Sequence, residues 1–330
     1  MYKVKVENLK QFEVVLNSDN VGEIILSRDS FAESILASLV SKIKKSGKLA
    51  WILMERISRY EENMKIIGTN ANKSNTMSLD LRTSTDKIYD IEDLDGIIIQ
   101  NLDSFAYMLR RINKAANKKL MVELNYTMNC YNRETKLVHE LLYNDKRNNV
   151  KDLPLLFTAP LELNTYELSD VGYDTIIIYS YIDTMVSVNC LKKNTSITNM
   201  QFANEKSKSA SKNSLKEFGS KKIEPICNHK FDFNNVKDFS SYIIDRKGEK
   251  LHYKTYCKYC YNKIFNTTPL YLLDKLDELK DMYNKYLADD KKTLKYRMDF
   301  SFENENEVKN ILSMKKPSEF TRGHFKTSIK

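Results

Sequence analysis

The segment Tyr256-Cys257-Lys258-Tyr259-Cys260-Tyr261 sets two thiols three positions apart. A C-x-x-C brings both thiolates within reach of one metal ion or cluster. Cys190 and Cys227 complete a set of four, the number that a tetrahedral zinc or a 4Fe–4S cluster takes. His229, two residues after Cys227, is a substitute ligand if the metal is zinc. The bland alternative makes Cys190 a small buried hydrophobe and leaves the C-x-x-C alone. Cys130 is isolated from this set and reads as a core thiol. Met1–Glu7 alternates charge and lacks an apolar h-region, so no secretory signal is expected. In the reduced cytoplasmic setting this suggests, clustered cysteines read as metal ligands before disulfides.

A second group of polar residues gathers where β-like runs end. Arg56 and Arg59 follow the third run, and Asn101 the fourth. Asn125 and Asn129 end the fifth; Glu162 and Asn164 follow the sixth. Convergent Arg, Asn and Glu can orient an anionic or base-like ligand. Guanidinium groups hold a carboxylate or phosphate bidentately, and Glu162 could orient or deprotonate a bound group. Arg322 and His324, in the C-terminal tail, could fold back over such a site. Structural alternatives stand beside each. Glu162 could pair with Arg56 or Arg59, Asn125 and Asn129 could satisfy turn backbone, and Asn164 could cap a helix with Glu167 at the capping-box position. Four scattered histidines give no G-x-S-x-G or H-E-x-x-H context, so no hydrolytic nucleophile is recognisable.

These residues need a frame. Short runs rich in Ile, Val and Leu occur at Lys3–Val6, Glu23–Leu26, Leu49–Met54, Gly96–Gln100, Leu120–Asn125, Leu155–Thr158 and Thr175–Tyr179. Such runs suit strands buried on both faces. Amphipathic segments lie between them, including Phe31–Ile43, Leu102–Ile112, Thr135–Leu142 and Asn164–Leu168. An eighth strand is expected at Arg297–Phe302, after a helix with Leu270, Leu273, Leu276, Leu279 and Tyr283 on its apolar side. A hairpin is expected from Tyr242–Ile244 and Leu251–Tyr253 around Arg246–Glu249. Eight β units predict an α/β chain with a (β/α)8 TIM-barrel-like domain and a Cys-containing insertion between the seventh and eighth strands. An open doubly wound sheet is the alternative. The expected divisions are 1–190 for seven β/α units, 191–226 for a basic flexible insertion, 227–269 for a cysteine-rich metal-binding segment, and 270–330 for the last unit and a basic tail.

The 330 residues carry a net charge of +9, placed unevenly. Residues 191–226 hold eight lysines against three glutamates, and residues 315–330 hold five cations against one glutamate. These stretches could meet RNA phosphates. The compositional alternative is equally weighted: only 11 of the 53 basic residues are Arg, and abundant Lys, Asn and Ile fit an AT-rich genome. No P-loop or dinucleotide fingerprint occurs among only eight glycines. No apolar run approaches the ~20 residues of a membrane span, so no membrane partner is expected.

Several stretches together resemble the U32 peptidase family, the collagenase-like proteins, and specifically the C-terminal half of a long-form member. Met54-Glu55-Arg56-Ile57-Ser58-Arg59 is similar to L-P-R-I-F-R, with Glu55 in place of Pro. Asp95–Leu102 resembles D-G-[LV]-[LV]-[VI]-R-N-L, Asn125–Asn132 resembles D-x-x-L-N-[VI]-[FY]-N, and Ala159–Asn164 resembles S-P-E-L-N. Met185–Cys190 resembles the approach to the first cluster cysteine, and Ile244–Gly248 resembles L-x-D-R-x-G. Cys260–Leu270 resembles C-x-N-x-I-[FY]-N-x-x-P-L, and Phe320–Phe325 is close to F-T-R-G-H-[FY]. Asp174–Met185 departs from the family pattern at Asp174, Ser180 and Asp183, and the signature peptidase-domain motif is absent. The resemblance implies a barrel-like domain with a cysteine-bound iron–sulfur cluster. It also implies one of two activities: collagenase-like proteolysis, or 5-hydroxylation of tRNA or ribosomal RNA pyrimidines with prephenate as the oxygen-linked metabolite. Absent a nucleophile, the residues favour the RNA chemistry. A third possibility is a non-catalytic half that docks onto the N-terminal half of a U32 protein.

Overall fold

The computed structural model describes residues 1–57, 88–112, 120–145, 154–188, 239–286 and 294–326. Arg59, Cys190, Cys227, His229 and the stretch 191–226 lie outside the described residues. The chain divides into two compact units, Met1–Ile182 with Asn266–Lys330, and Asp183–Phe265.

The first unit is built on eight parallel strands: β1 (Tyr2–Val6), β2 (Val21–Ser27), β3 (Leu49–Leu53), β4 (Gly96–Ile99), β5 (Met121–Leu124), β6 (Leu155–Phe157), β7 (Thr175–Ser180) and β13 (Lys295–Asp299). They pair in the order β7-β13-β1-β2-β3-β4-β5-β6. A parallel bridge between Thr158 and Thr175 joins the two ends of this series. The Asp174 N–H also donates to the Phe157 carbonyl at 3.0 Å. The eight expected β units are therefore present, in the cyclic order of a (β/α)8 barrel. Helices connect them: α1 (Leu9–Leu16), α2 (Glu33–Lys45), α3 (Leu102–Ile112), α4 (Arg133–Tyr143), α5 (Thr165–Val171), α6 (Leu276–Tyr286) and α7 (Glu305–Leu312).

Alternation sorts the side chains. Val4 and Val6 of β1, Ile24 and Leu26 of β2, and Ile97 and Ile99 of β4 join the large core shared with the helices. A separate small cluster, Ile25, Trp51, Leu53 and Ile98, holds the other phase. Gly96 makes room for it, since a Cβ there would overlap the Trp51 ring.

The junction of β6 and β7 is split. Beyond Thr175, the edge of β7 is taken by β12 (Leu270–Tyr271), which pairs antiparallel, Leu270 opposite Ser180 and Tyr271 opposite Tyr179. The expected helix beginning at Leu270 starts later, at Leu276. The unpaired backbone edge of β7 draws Leu270 and Tyr271 into strand pairing, and Pro269 favours the extended entry. The C-terminal tail then lies along β12: the Tyr271 N–H donates to the Thr321 carbonyl at 3.0 Å, and the Thr321 N–H to the Pro269 carbonyl at 2.8 Å.

The second unit falls in sequence between β7 and β13. Its antiparallel sheet runs β8-β11-β10-β9, from β8 (Asp183–Ser187), β9 (Phe239–Ile244), β10 (Lys250–Tyr256) and β11 (Tyr261–Phe265). The expected hairpin is β9–β10. Its turn is held by the Asp245 carboxylate, which accepts from the backbone N–H groups of Lys247 and Glu249, each at 2.8 Å.

Candidate functional site

The inward positions of β1, β5 and β13 are charged, beside the small apolar cluster around Trp51. Lys3 and Lys5 alternate with Val4 and Val6 on β1, and both are buried. The Lys3 ammonium donates to the Glu123 carboxylate on β5 at 2.5 Å and sits 3.2 Å from the centroid of the Trp51 ring. The other Glu123 oxygen accepts from the Thr158 hydroxyl at 2.6 Å. Burial pushes the Glu123 carboxyl up, but Lys3 and Arg297 outweigh it and hold the group below the usual carboxylate range. Arg297, on β13, forms a fork onto Asp299, with Nε–Oδ1 at 2.6 Å and Nη2–Oδ2 at 2.8 Å. Its third nitrogen donates to the Asn125 side-chain oxygen at 3.0 Å.

Above this floor, a polar rim is formed by residues that end or follow the strands. Lys5 donates to Glu7 at 2.7 Å and to the Ser301 hydroxyl at 3.4 Å. Burial works against its charge, but Glu7 and Asp299 hold the ammonium above its ordinary value. Arg28 donates to Glu55 at 2.7 Å and Glu33 at 2.9 Å. Arg56 donates to the Gln100 carbonyl at 3.0 Å, and the Gln100 side chain in turn accepts from Asn125 at 3.3 Å. Among the described residues, buried polar atoms of the rim without a hydrogen-bond partner include Arg56 Nε, Glu162 Oε2 and Glu303 Oε1. They follow β3, β6 and β13 respectively, at the end of the barrel where sites form. Unsatisfied buried groups in such a place are what a polar ligand would complete.

Glu303 has no motif that would announce it in the sequence. Its residue is 5% exposed. One carboxylate oxygen accepts from the Ser301 and Phe302 N–H groups at 2.6 and 2.9 Å. Burial raises its pKa above the ordinary value. The folded protein thus holds this proton more tightly than the unfolded chain. The group favours folding below the ordinary glutamate value of about 4.3, and that contribution is lost as pH rises through the raised value. Glu303→Gln, which keeps an acceptor and drops the charge, is expected to gain thermal midpoint relative to the parent as pH goes from about 4 to about 8. A difference that stays flat with pH would show that ionised Glu303 costs the fold nothing.

The other expected site residues are distributed as follows. Arg56 and Asn125 converge through Gln100. Glu162 faces Tyr131, whose hydroxyl is pushed up by burial and by that carboxylate. Among the described residues Arg56 Nε and Glu162 Oε2 are each buried without a hydrogen-bond partner, so they do not pair with each other. Asn164 caps α5: its side-chain oxygen accepts from Tyr166 and Glu167 N–H groups, and Glu167 returns the bond to the Asn164 N–H. Arg322 is not free for a ligand. Its guanidinium pairs with both oxygens of Asp274, donates to the Tyr271 carbonyl at 2.6 Å, and lies 4.8 Å over the Phe320 ring. It clasps the tail to β12 because Asp274, just past that strand, is the acid within its reach. His324 is half-buried, and buried Phe325 accepts a bond from the Thr165 N–H through its carbonyl.

Cys130 is buried, 3.7 Å from His139 Nδ1. This contact is not a nucleophile–base pair. His139 Nδ1 lies 2.9 Å from the Thr135 carbonyl, which can only accept, so that nitrogen carries the proton. Burial also pushes the thiol up to about 12.

In the second unit, Cys257 and Cys260 occupy the tight turn between β10 and β11, closed by the Tyr256–Tyr261 pair. Cys260 takes the left-handed conformation at φ 55°, which a non-glycine residue adopts only where the turn requires it. The Tyr256 and Tyr261 rings, at the strand ends flanking this turn, stack at 5.1 Å. Strand β8 runs antiparallel to β11 with Ser187 opposite Asn262, two residues from Cys260, so β8 leads the chain towards this turn. Among the described residues, no group of three or more His, Cys, Asp or Glu is placed to hold a metal.

Fold and site together define an α/β chain with a TIM-barrel-like parallel sheet, a polar rim at the strand ends, and a separate antiparallel unit carrying a C-x-x-C turn. No family model and no curated protein matches the chain. A solved structure of a U32 peptidase matches with 13% identity and a TM-score of 0.35, covering 56% of this chain and 72% of that one. A TM-score of that size does not establish a shared fold. Among the described residues, no helix is long and apolar enough to cross a membrane.

Proposed function

We propose that this chain is a U32-type barrel protein with an iron–sulfur cluster that takes part in pyrimidine hydroxylation of tRNA or ribosomal RNA. The observation that carries the proposal is the turn holding Cys257 and Cys260. Two thiols on one hairpin turn, with β8 directed towards them, suit a cluster completed by Cys190 and Cys227. Bound there, the cluster would supply redox chemistry or a structural anchor. The chain's own residues would bind the reacting small molecule at the barrel mouth, prephenate being the candidate from the family resemblance. Arg56 offers an unpaired Nε–H to a carboxylate, while Glu162 and Glu303 offer open carboxyl oxygens to hydroxyl groups. The Cys130–His139 geometry supports this reading over a thiol peptidase.

The test has two parts. Anaerobically purified protein should carry iron and labile sulfide and absorb near ~400 nm. RNA from cells lacking the gene should lose a 5-hydroxylated pyrimidine, and complementation should restore it. Stoichiometric zinc without iron would replace the cluster with a zinc site. Sustained gelatin or casein cleavage by the pure protein, with RNA unchanged, would replace the RNA reading with the peptidase one.

A further inference from the structure

We infer that the second unit carries a single-stranded RNA contact surface on its β9–β10 hairpin, centred on Tyr242. This deepens the RNA reading above and rests on it for the identity of the nucleic acid. Charge is the first observation. By sequence, the unit Asp183–Phe265 holds 16 Lys and Arg against 8 Asp and Glu. Its net +8 is nearly all of the chain's +9. Within the described stretch 239–265 the balance is six cations to two acids.

Geometry is the second observation. Tyr242 lies on β9, the end strand of the sheet, and is 52% exposed; Ile244, on the same strand face, is 58% exposed. Large apolar groups on a small basic sheet are not positioned by the core. Register places Tyr242 opposite His252 and Ile244 opposite Lys250. The Lys250 ammonium sits 5.1 Å from the Tyr242 ring centroid. Arg246 and Lys247 project from the adjoining turn, whose acid Asp245 is engaged in holding that turn. Glu249 is the remaining acid of the turn.

An exposed ring flanked by cations, on an antiparallel sheet, is how single strands are held without base pairing: a base stacks on the aromatic face while phosphates meet the cations. A duplex would hide its base faces and leave the ring unused. An acidic peptide would satisfy the cations but not call for a planar ring.

The test uses the full chain and a fluorescein-labelled 20-nucleotide oligouridylate, with anisotropy read over a range of salt. Tyr242→Ala should weaken binding about tenfold or more, as loss of one base–aromatic stack does, while Tyr242→Phe keeps parental affinity. Lys250→Ala and Arg246→Ala should each lower the salt slope by about 0.7. All three side chains are at the surface, and a thermal melt unchanged from the parent confirms that each of the four variants is folded. Equal competition by polyglutamate, equal affinity for duplex RNA, or an unchanged affinity in Tyr242→Ala would each overturn the inference. Iron content and RNA hydroxylation measured on the same proteins keep the two readings apart. RNA binding lost in Tyr242→Ala with no hydroxylation by the parent would sink the activity and leave the surface. Hydroxylation with no Tyr242 dependence would do the reverse.

Discussion

Replacing Glu123 with leucine is expected to destabilise the barrel by about 3–5 kcal/mol, because it leaves the buried Lys3 ammonium with only the longer 3.5 Å contact to Glu23. Glu123 is fully buried, so water cannot take its place. Arg297 loses a nearby anion as well. Denaturant unfolding reads the effect directly. The double variant Lys3→Met/Glu123→Leu removes both charges and should recover most of the loss, since an apolar pair of similar volume often matches a buried ion pair. A single variant within about 1 kcal/mol of the parent would show that the Lys3–Glu123 contact contributes little. The pH dependence has a definite sign. Glu123 is held below its ordinary range, so its contribution is full above that range and is lost as pH falls through the lowered value. The leucine variant should lack this limb of acid destabilisation.

The second large effect is expected at the cysteine turn. With the proposed cluster bound there, Cys260→Ser should reduce bound iron to background, because a cluster ligated by four thiolates does not tolerate loss of one from its most constrained pair. Cys257→Ser should do the same. Cys130→Ser is the control: it lies in the barrel unit beside His139, and its iron content should equal the parent's. Iron measured by mass spectrometry after anaerobic purification decides the matter. Full iron in Cys260→Ser would remove the turn from the metal site.

The barrel interior gives these predictions a functional setting. Its floor is an internally satisfied set of charges, Lys3–Glu123 and Arg297–Asp299, while its rim retains open atoms on Arg56, Glu162 and Glu303. Such a division suits a site that stays rigid below and binds above, because the floor fixes side chains that the rim residues lean on. Arg297 shows the coupling: it grips Asp299 and at the same time fixes Asn125, which links through Gln100 to the loop of Arg56.

Much of the architecture was readable along the chain. Runs such as Ile97-Ile98-Ile99 and Ile176-Ile177-Ile178 are strands because both of their faces are buried, and that burial leaves a continuous apolar signature. The Asn164–Glu167 capping box and the C-x-x-C spacing were equally legible, since each spans four residues and depends on local backbone geometry. The inward turn of Lys3 and Lys5 was not. Their alternation with Val4 and Val6 fixes which residues share a face, but a lysine is ordinarily on the water side. What reverses that is Glu123, 120 residues away, and Asp299, which the pairing of β13 with β1 brings opposite Lys5. The same holds for Glu303, an acid in an undistinguished loop whose burial depends on strands far along the chain. It holds as well for Arg322, drawn to Asp274 by a strand edge that β6 and β7 leave open. Sequence by itself determined the eight parallel strands, the β9–β10 hairpin and the spacing that puts two cysteines near one turn, because those depend on neighbours within a few residues. Only the tertiary structure decided which charges lie inside the barrel and which polar atoms remain open at its mouth, because burial and pairing there are set by groups more than a hundred residues apart.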